Sequence, residues 1–385
     1  CEVSLSAFMN FVSEALNLSK FSTERLEEKG ILKKAFVKHP YFSDIIEALR
    51  IDKKFGMYEE GTLIVKSKDG LKVFRGFPKI KRILYLESGL KKHFGDKNIA
   101  LEEKMNGYNV RIVKISDKIY AITRRGLLCP YTTEKAREQI PEEFFDEFPE
   151  HMLCCEAIGN ASPYVPDHYG IEGLEFFLFD IRECKTNKPM TIKEKEEIAE
   201  RYGIKTVEIL LKTSASDIGG IRRLVEDLNT RGREGIVFKD LEMILAPLKY
   251  TTSFSNCGDL SYAFKNFEEY GRDFMLARII REAFQSFEFQ DTIEERSRRL
   301  GKAILNALIE SINKVSEGKE VTEEIRLTFS SEEILELFKM HLKLVGVNLR
   351  EIDRKCRGKK IEVRFERVMR ATTDKIRSLL EGNPW

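Results

Sequence analysis

The chain has 385 residues, 42% hydrophobic and 33% charged, with 65 Lys and Arg against 63 Asp and Glu for a formal net charge of +2. That length exceeds one ordinary hydrophobic core and predicts about two to four domains, and the near-balance of charge excludes a uniformly basic or acidic protein. No apolar run approaches the roughly 18 residues of a membrane span, no signal-peptide pattern opens the sequence, and seven cysteines without a Cys-x-x-Cys pair exclude a disulfide framework and a zinc ribbon. A reducing cytoplasm is the expected location.

Residues 1–60 place Leu5, Phe8, Met9, Phe11, Val12 and Leu16 at helical spacing, followed by Phe42, Ile45, Ile46 and Leu49, and predict a mainly helical start. The period then changes. Residues 62–66, a Lys68-Asp69-Gly70 turn and residues 71–74 predict a hairpin. Its flank, from Arg75 to Arg82, mixes Phe77 with cations, which suits a solvated sheet rim or contact with a nucleic-acid backbone.

Residues 96–252 predict strands at 110–115, 119–123, 151–158, 173–181, 235–239 and 243–250, with helices at 192–201 and 215–230. That order predicts an α+β fold with antiparallel sheets, and the dinucleotide and Walker glycine fingerprints are both missing. Residues 253–320 predict helices whose Phe264, Phe267, Phe274, Ile280, Phe284 and Phe287 suit either core or a subunit interface. Residues 321–385 predict helices at 332–345 and 365–380, with Lys355, Arg357, Lys359 and Lys360 between them.

The stretch Glu102-Glu103-Lys104-Met105-Asn106-Gly107-Tyr108-Asn109-Val110-Arg111 is expected to hold a lysine on a turn, with an Asn-Gly pair and then a strand after it. A lysine ordinarily titrates near 10.4, so work as a nucleophile at neutral pH needs a shift of about 4 kcal/mol from burial or nearby positive charge. Further short patterns follow in order. They are Thr123-Arg124-Arg125-Gly126, Glu156 at the end of an apolar strand, Phe176-Phe177-Leu178-Phe179-Asp180-Ile181, Glu234-Gly235-Ile236-Val237-Phe238-Lys239 and Leu248-Lys249-Tyr250.

This order resembles the covalent nucleotidyltransferase superfamily of ATP-dependent ligases and capping enzymes, and its form is most similar to the archaeal homodimeric RNA ligase family. The resemblance implies an N-terminal α+β module (1–95), a nucleotidyltransferase domain (96–252), a helical dimerisation domain (253–320) and a helical C-terminal domain (321–385). It implies that Lys104 attacks the α-phosphorus of ATP to give a lysyl-AMP, with Mg²⁺ (or Mn²⁺) as the ion. The implied substrate is single-stranded RNA with 5′-phosphate and 3′-hydroxyl ends, with circularisation among the outcomes.

By the same resemblance, Lys239 and Lys249 contact phosphate, Phe179 stacks on adenine, Glu156 accepts from the ribose hydroxyl and Arg125 contacts sugar or phosphate. Glu234 orients the lysine and is the metal candidate, Glu102 and Asn109 join the nucleotide-binding set, and Arg111 is a looser candidate. Phe179 suits core equally, on a strand face expected to hold Phe177 and Ile181, and Lys239 suits a solvated strand end. Asn106 replaces the superfamily's usual Asp, and Lys249 stands alone where two lysines are common. The alternatives are a DNA ligase or capping-type nucleotidyltransferase, and a non-catalytic RNA-binding protein on the same fold.

Overall fold

The computed structural model describes residues 11–166, 169–290, 292–358 and 360–385. Leu5, Phe8, Met9 and Lys359 lie outside them. From the amino end come α1 (residues 11–16), α2 (Lys20–Glu28), β1 (Leu32–Lys34), β2 (Ile45–Ile51), β3 (Leu63–Ser67), β4 (Gly70–Phe74), β5 (Lys81–Arg82) and α3 (Leu86–Phe94). Next are β6 (Asn98–Lys104), β7 (Tyr108–Ile115), β8 (Lys118–Thr123), α4 (Pro130–Gln139), α5 (Glu143–Glu147), β9 (His151–Ile158) and β10 (Glu175–Glu183). Then follow α6 (Ile192–Tyr202), β11 (Ile209–Ser214), α7 (Ile218–Thr230), β12 (Gly235–Asp240) and β13 (Leu248–Thr251). The remainder holds α8 (Ser253–Lys265), α9 (Arg272–Phe289), α10 (Ile293–Ser316), β14 (Thr322–Phe329), α11 (Glu332–Val345), β15 (Leu349–Arg357), β16 (Lys360–Val368) and α12 (Arg370–Leu380). This is the expected α+β class, with antiparallel sheets.

The elements fall into two compact units. One comprises residues 1–79, 106–206 and 325–364. Within it β1-β2-β3-β4 form an antiparallel sheet, and Leu49, Ile51 and Ile64 pack on Phe11, Val12 and Leu16 of α1. A helical reading of 45–49 is therefore corrected: isoleucine-rich β2 is paired on both edges and buried under α1, where β-branched side chains fit well. A second antiparallel sheet has the order β10-β9-β7-β8. Behind it, α4 carries buried Tyr131, which meets the rings of Phe329 and Phe338 at 5.2 and 5.6 Å.

The other unit comprises residues 80–105, 207–324 and 365–385. Its sheet, in the order β11-β6-β12-β13-β5, is antiparallel except for the β13–β5 pair. Alternation divides it into two faces. Ile99, Leu101, Ile236, Phe238, Leu248 and Tyr250 form one face, packed on Leu86, Leu90 and Phe94 of α3 and on Ile221, Val225 and Leu228 of α7. Helix α7 has its apolar positions three and four apart, and Asp217 caps its start by accepting from the Gly220 N–H.

Three boundaries differ from the sequence reading. Lys104 ends a strand rather than occupying a turn, because β6 is held on both sides by β11 and β12. The strand expected at 243–250 starts at Leu248, since the Asp240 carboxylate accepts from the N–H groups of Ile244 and Leu245 and folds 240–245 into a turn. The C-terminal segment adds a sheet, β14-β16-β15, to its expected helices, so 365–368 is strand and α12 begins at Arg370.

Candidate active site

The face of the β11-β6-β12-β13-β5 sheet opposite its apolar core collects the lysine motifs. On β6 it carries Ala100, Glu102 and Lys104, and their register partners on β12 are Lys239, Val237 and Gly235. Lys249 pairs with Val237, Thr251 with Gly235, and Arg82 of β5 with Lys249. Strands about 4.8 Å apart, with a rise of about 3.3 Å per residue, put Lys104 and Lys249 two columns and two residues, or roughly 12 Å, from one another. Expected groups from three separate sequence patterns thus share one surface.

Lys104 Nζ lies 2.5 Å from Glu234 Oε1. The second oxygen of Glu234 is buried without a hydrogen-bond partner among the described residues. Lys239 Nζ lies 2.6 Å from Glu102 Oε2, and both residues are only 1% exposed. Lys239 is therefore not a solvated strand end. Its charge is matched in the protein, and it fixes Glu102 two residues before the candidate nucleophile. Lys249 and Arg82 are half-buried, with the Arg82 guanidinium donating to Thr251 Oγ1 at 2.6 Å. Burial lowers the Arg82 pKa, and the Glu234 carboxylate opposes that shift.

Gly235 has a physical reason to be glycine. A Cβ there would meet the Tyr250 carbonyl oxygen at 2.1 Å, so the β12–β13 approach excludes any side chain beside Lys104.

In the other unit, Asn109 of β7 stands opposite Glu156 of β9, and Phe177 of β10 stands opposite Glu156 on the other side. Asn109 Oδ1 is buried without a hydrogen bond among the described residues. Phe179 sits at a bulge between Leu178 and Asp180. The extra residue reverses the alternation beyond it, so Ile181 joins the buried face with Leu153 and does not accompany Phe177, contrary to the strand-face expectation. The half-buried Phe179 ring meets buried Phe77 edge to face at 5.1 Å. Phe77 in turn carries the guanidinium carbons of Arg182 and Arg124 at 4.9 and 5.8 Å from its centroid.

The arginines sit in different surroundings. Arg125 has a side chain 62% exposed, and its one ion pair among the described residues is with Asp52, at 3.9 Å. Its neighbour Arg124 is the inward one, lowered in pKa by burial and drawn upward by Glu60 and Glu156. Arg111 is fully buried, donating to the carbonyl oxygens of Gly61 (2.7 Å), Arg75 (2.5 Å) and Thr123 (3.1 Å). Those bonds make it a backbone clamp rather than a ligand group. Arg75, expected among strand contacts, is likewise buried and paired with Glu59 at 2.8 Å, while Lys79 and Lys81 are exposed.

Tyr169 was not foreseen. Its hydroxyl accepts from the Asn106 backbone N–H at 2.8 Å, holding the turn after Lys104, and a lone tyrosine in a loop gave no spacing signal.

Comparison with known proteins gives the family. Residues 97–251 match the RNA ligase family, and residues 262–383 match the ligase Pab1020 C-terminal region. Two solved structures of archaeal ATP-dependent RNA ligase, forms 1 and 2, are 35% and 34% identical, cover 98% of this chain and 99% of their own, and align with TM-scores of 0.90 and 0.89. An uncharacterized protein of Methanocaldococcus jannaschii is 40% identical over 98% of this chain and 97% of its own. A structure from Aquifex aeolicus, provisionally named an ATP-dependent DNA ligase, is 28% identical, covers 95% of this chain and all of its own, and aligns with a TM-score of 0.87. By identity and coverage together, the chain belongs to the archaeal ATP-dependent RNA ligase family.

Proposed function

We propose that the protein seals RNA in three displacements at phosphorus, with Lys104 as the nucleophile of the first. The Lys104 amine loses its proton and attacks the α-phosphorus of ATP; an N–P bond forms and the bond to pyrophosphate breaks. A 5′-phosphate oxygen of the RNA then displaces Lys104, leaving AMP on the strand. The 3′-hydroxyl of an RNA end finally attacks that 5′-phosphorus and AMP departs. The single observation that carries this reading is the pairing of Lys104 with Glu234 on a sheet face that also bears Lys249 and Arg82.

An ammonium paired to a carboxylate is not a nucleophile, so Glu234 is the group placed to take up or release that proton. The unpartnered Glu234 oxygen fits a cation ligand. Mg²⁺ characteristically takes one or two carboxylates together with substrate phosphates, so Glu234 would hold it with the nucleotide, and Mn²⁺ fits the same donors. When bound, the ion supplies charge neutralisation at the phosphates. Lys249 supplies fixed positive charge, and the Lys239–Glu102 pair holds the floor of the site rigid.

For the nucleoside we assign Phe179 to the base, and Glu156 and Asn109 to polar contacts, supported by the unsatisfied Asn109 amide oxygen beside Glu156. Residues 96–252 form the nucleotidyltransferase domain in this reading, between an N-terminal module (1–95) and the regions 253–320 and 321–385. We also infer a homodimer. It is supported by Leu276, Ile280, Phe284 and Phe287, which lie along α9 with exposures of 55, 40, 44 and 76%. Among the described residues no helix is long and apolar enough to cross a membrane, and a cytoplasmic location is the companion expectation.

Intact mass after mixing with ATP and Mg²⁺ tests the first step: one added AMP is expected, and none overturns the reading. The loaded enzyme is then given 5′-phosphorylated single-stranded RNA or nicked DNA. Sealing of DNA alone would favour the second reading, a DNA ligase, to which the name of the Aquifex aeolicus relative points. Sedimentation at equilibrium tests the dimer.

A further inference from the structure

The sheet face around Lys104 carries more positive charge than its carboxylates match. Lys104 is paired with Glu234 and Lys239 with Glu102. Arg82 and Arg281, both half-buried, have no ion-pair partner among the described residues, and Arg82 spends one N–H on the neutral hydroxyl of Thr251.

Helix α9 explains how Arg281 arrives there. Gln285 donates from Nε2 to the Thr251 carbonyl oxygen at 3.3 Å. Glu288 accepts from the Tyr250 hydroxyl at 3.1 Å and from the Leu86 N–H at 2.8 Å. These contacts fix one side of α9 against β13 and the start of α3. Arg281 stands one helical turn before Gln285 on that same side, and Arg278 one turn earlier still. Thr251 is opposite Gly235, and Gly235 opposite Lys104, so this side of the helix meets the sheet in the row of the nucleophile.

The two α9 arginines differ in what they hold. Arg278 grips Asp259 with Nε and Nη2, each at 2.9 Å, and covers the Phe274 ring at 3.3 Å. Arg281 grips nothing among the described residues. Its guanidinium is held down to about 10 by burial and by the charges of Arg82 and Arg278, with Asp259 and Glu234 pulling the other way. Two such forks of like sign gain most from a phosphate, whose oxygens accept several charge-assisted hydrogen bonds at once.

We propose that Arg281 and Arg82 form a phosphate-binding pair beside Lys104 and Glu234, so that the region beyond the 97–251 match supplies part of the reaction site. The proposal rests on the ligase reading. The ligand is a phosphate group of a reacting molecule, either the outer phosphates of ATP or the 5′-terminal phosphate of RNA.

The test takes full-length wild type, Arg281→Ala and Arg281→Lys through the steps separately. Lysine adenylation is followed by intact mass across ATP concentrations. Isolated lysyl-AMP enzyme is then mixed with 5′-phosphorylated oligoribonucleotide, and AMP transfer is followed across RNA concentrations. Losing the guanidinium is expected to raise the half-saturating concentration about 10- to 100-fold in one of these steps. Arg281→Lys should recover part of it, keeping the charge without the fork. A loss confined to transfer assigns the phosphate to RNA; a loss confined to adenylation assigns it to ATP. Unchanged kinetics in both steps overturn the proposal. So does an equal loss in both that tracks a lowered melting temperature and is not recovered by lysine. If wild type takes up no AMP, the ligase reading fails by itself. Calorimetry with inorganic pyrophosphate then judges the pair alone: weaker binding by Arg281→Ala supports it, and equal binding overturns it.

Discussion

Lys104 and Glu234 meet at 2.5 Å although 130 residues separate them in sequence, and the register of β6 against β12 is the cause. Gly235 is the partner of Lys104, so the residue before it is delivered beside the amine. A strand end holds this geometry better than a turn would, because both neighbours of β6 hydrogen-bond it.

Lys104→Ala should leave the fold intact and abolish the AMP adduct seen by intact mass. Gly235→Ala should be nearly as damaging, since a methyl would force β12 from Tyr250. A 10- to 100-fold slower adenylation is expected, about 1.4–2.7 kcal/mol in the barrier, with circular dichroism unchanged.

The Glu102–Lys239 pair is buried at both ends. Removing one partner strands the other, at a cost of about 3–5 kcal/mol. Glu102→Gln and Lys239→Met should each lower stability by that order in urea titration. The double variant Glu102→Met with Lys239→Met should be more stable than the sum of the singles implies.

Arg111→Met should cost about 3 kcal/mol or more, because it releases at once the carbonyls of Gly61, Arg75 and Thr123 that the guanidinium holds. If Arg111 bound nucleotide instead, ATP would widen the stability gap between variant and wild type, because the wild type would gain more from binding it. We expect the gap to be the same with and without ATP.

His341 gives a pH signature. It is 1% exposed, with Nε2 3.0 Å from the Tyr164 hydroxyl, and burial lowers its pKa to about 4. An unfolded histidine titrates near 6.5. Between those values the unfolded chain binds a proton that the folded chain refuses, so stability falls as pH drops. Its contribution to the loss from pH 7 to 5 is about 2 kcal/mol. His341→Phe should flatten the stability–pH profile by that amount, read from urea midpoints at the two pH values.

The motif residues were legible where a strand's alternation and a charge pattern coincided. Lys239 and Lys249 reached the face of Lys104 because each sits at the right parity on its strand, whereas Glu234 reaches the amine because it precedes Gly235, the register partner of Lys104. Arg82 was legible only as one of several rim cations, since its place beside Lys249 depends on a parallel pairing between residues far apart in sequence. Arg281 was hidden among the polar positions of an aromatic helix. The Phe179 bulge could not be read from alternation, which assumes its own continuity. Which of Arg124 and Arg125 is the buried one was not legible for a related reason: adjacent residues at a strand's end point in different directions, and the loop geometry decides which is inward.

On β6 and β12 the even and odd positions belong to different tasks: Leu101 and Phe238 hold the molecule together, while Lys104 and Lys239 lie on the face of the candidate site. Sliding either strand by a single residue would bring the ammonium groups into the hydrocarbon and expose the hydrocarbon to water. A mis-registered enzyme would therefore be not an intact but silent one but an unstable one, cleared by unfolding. The chain's catalytic alignment and its survival are proofread by the same event.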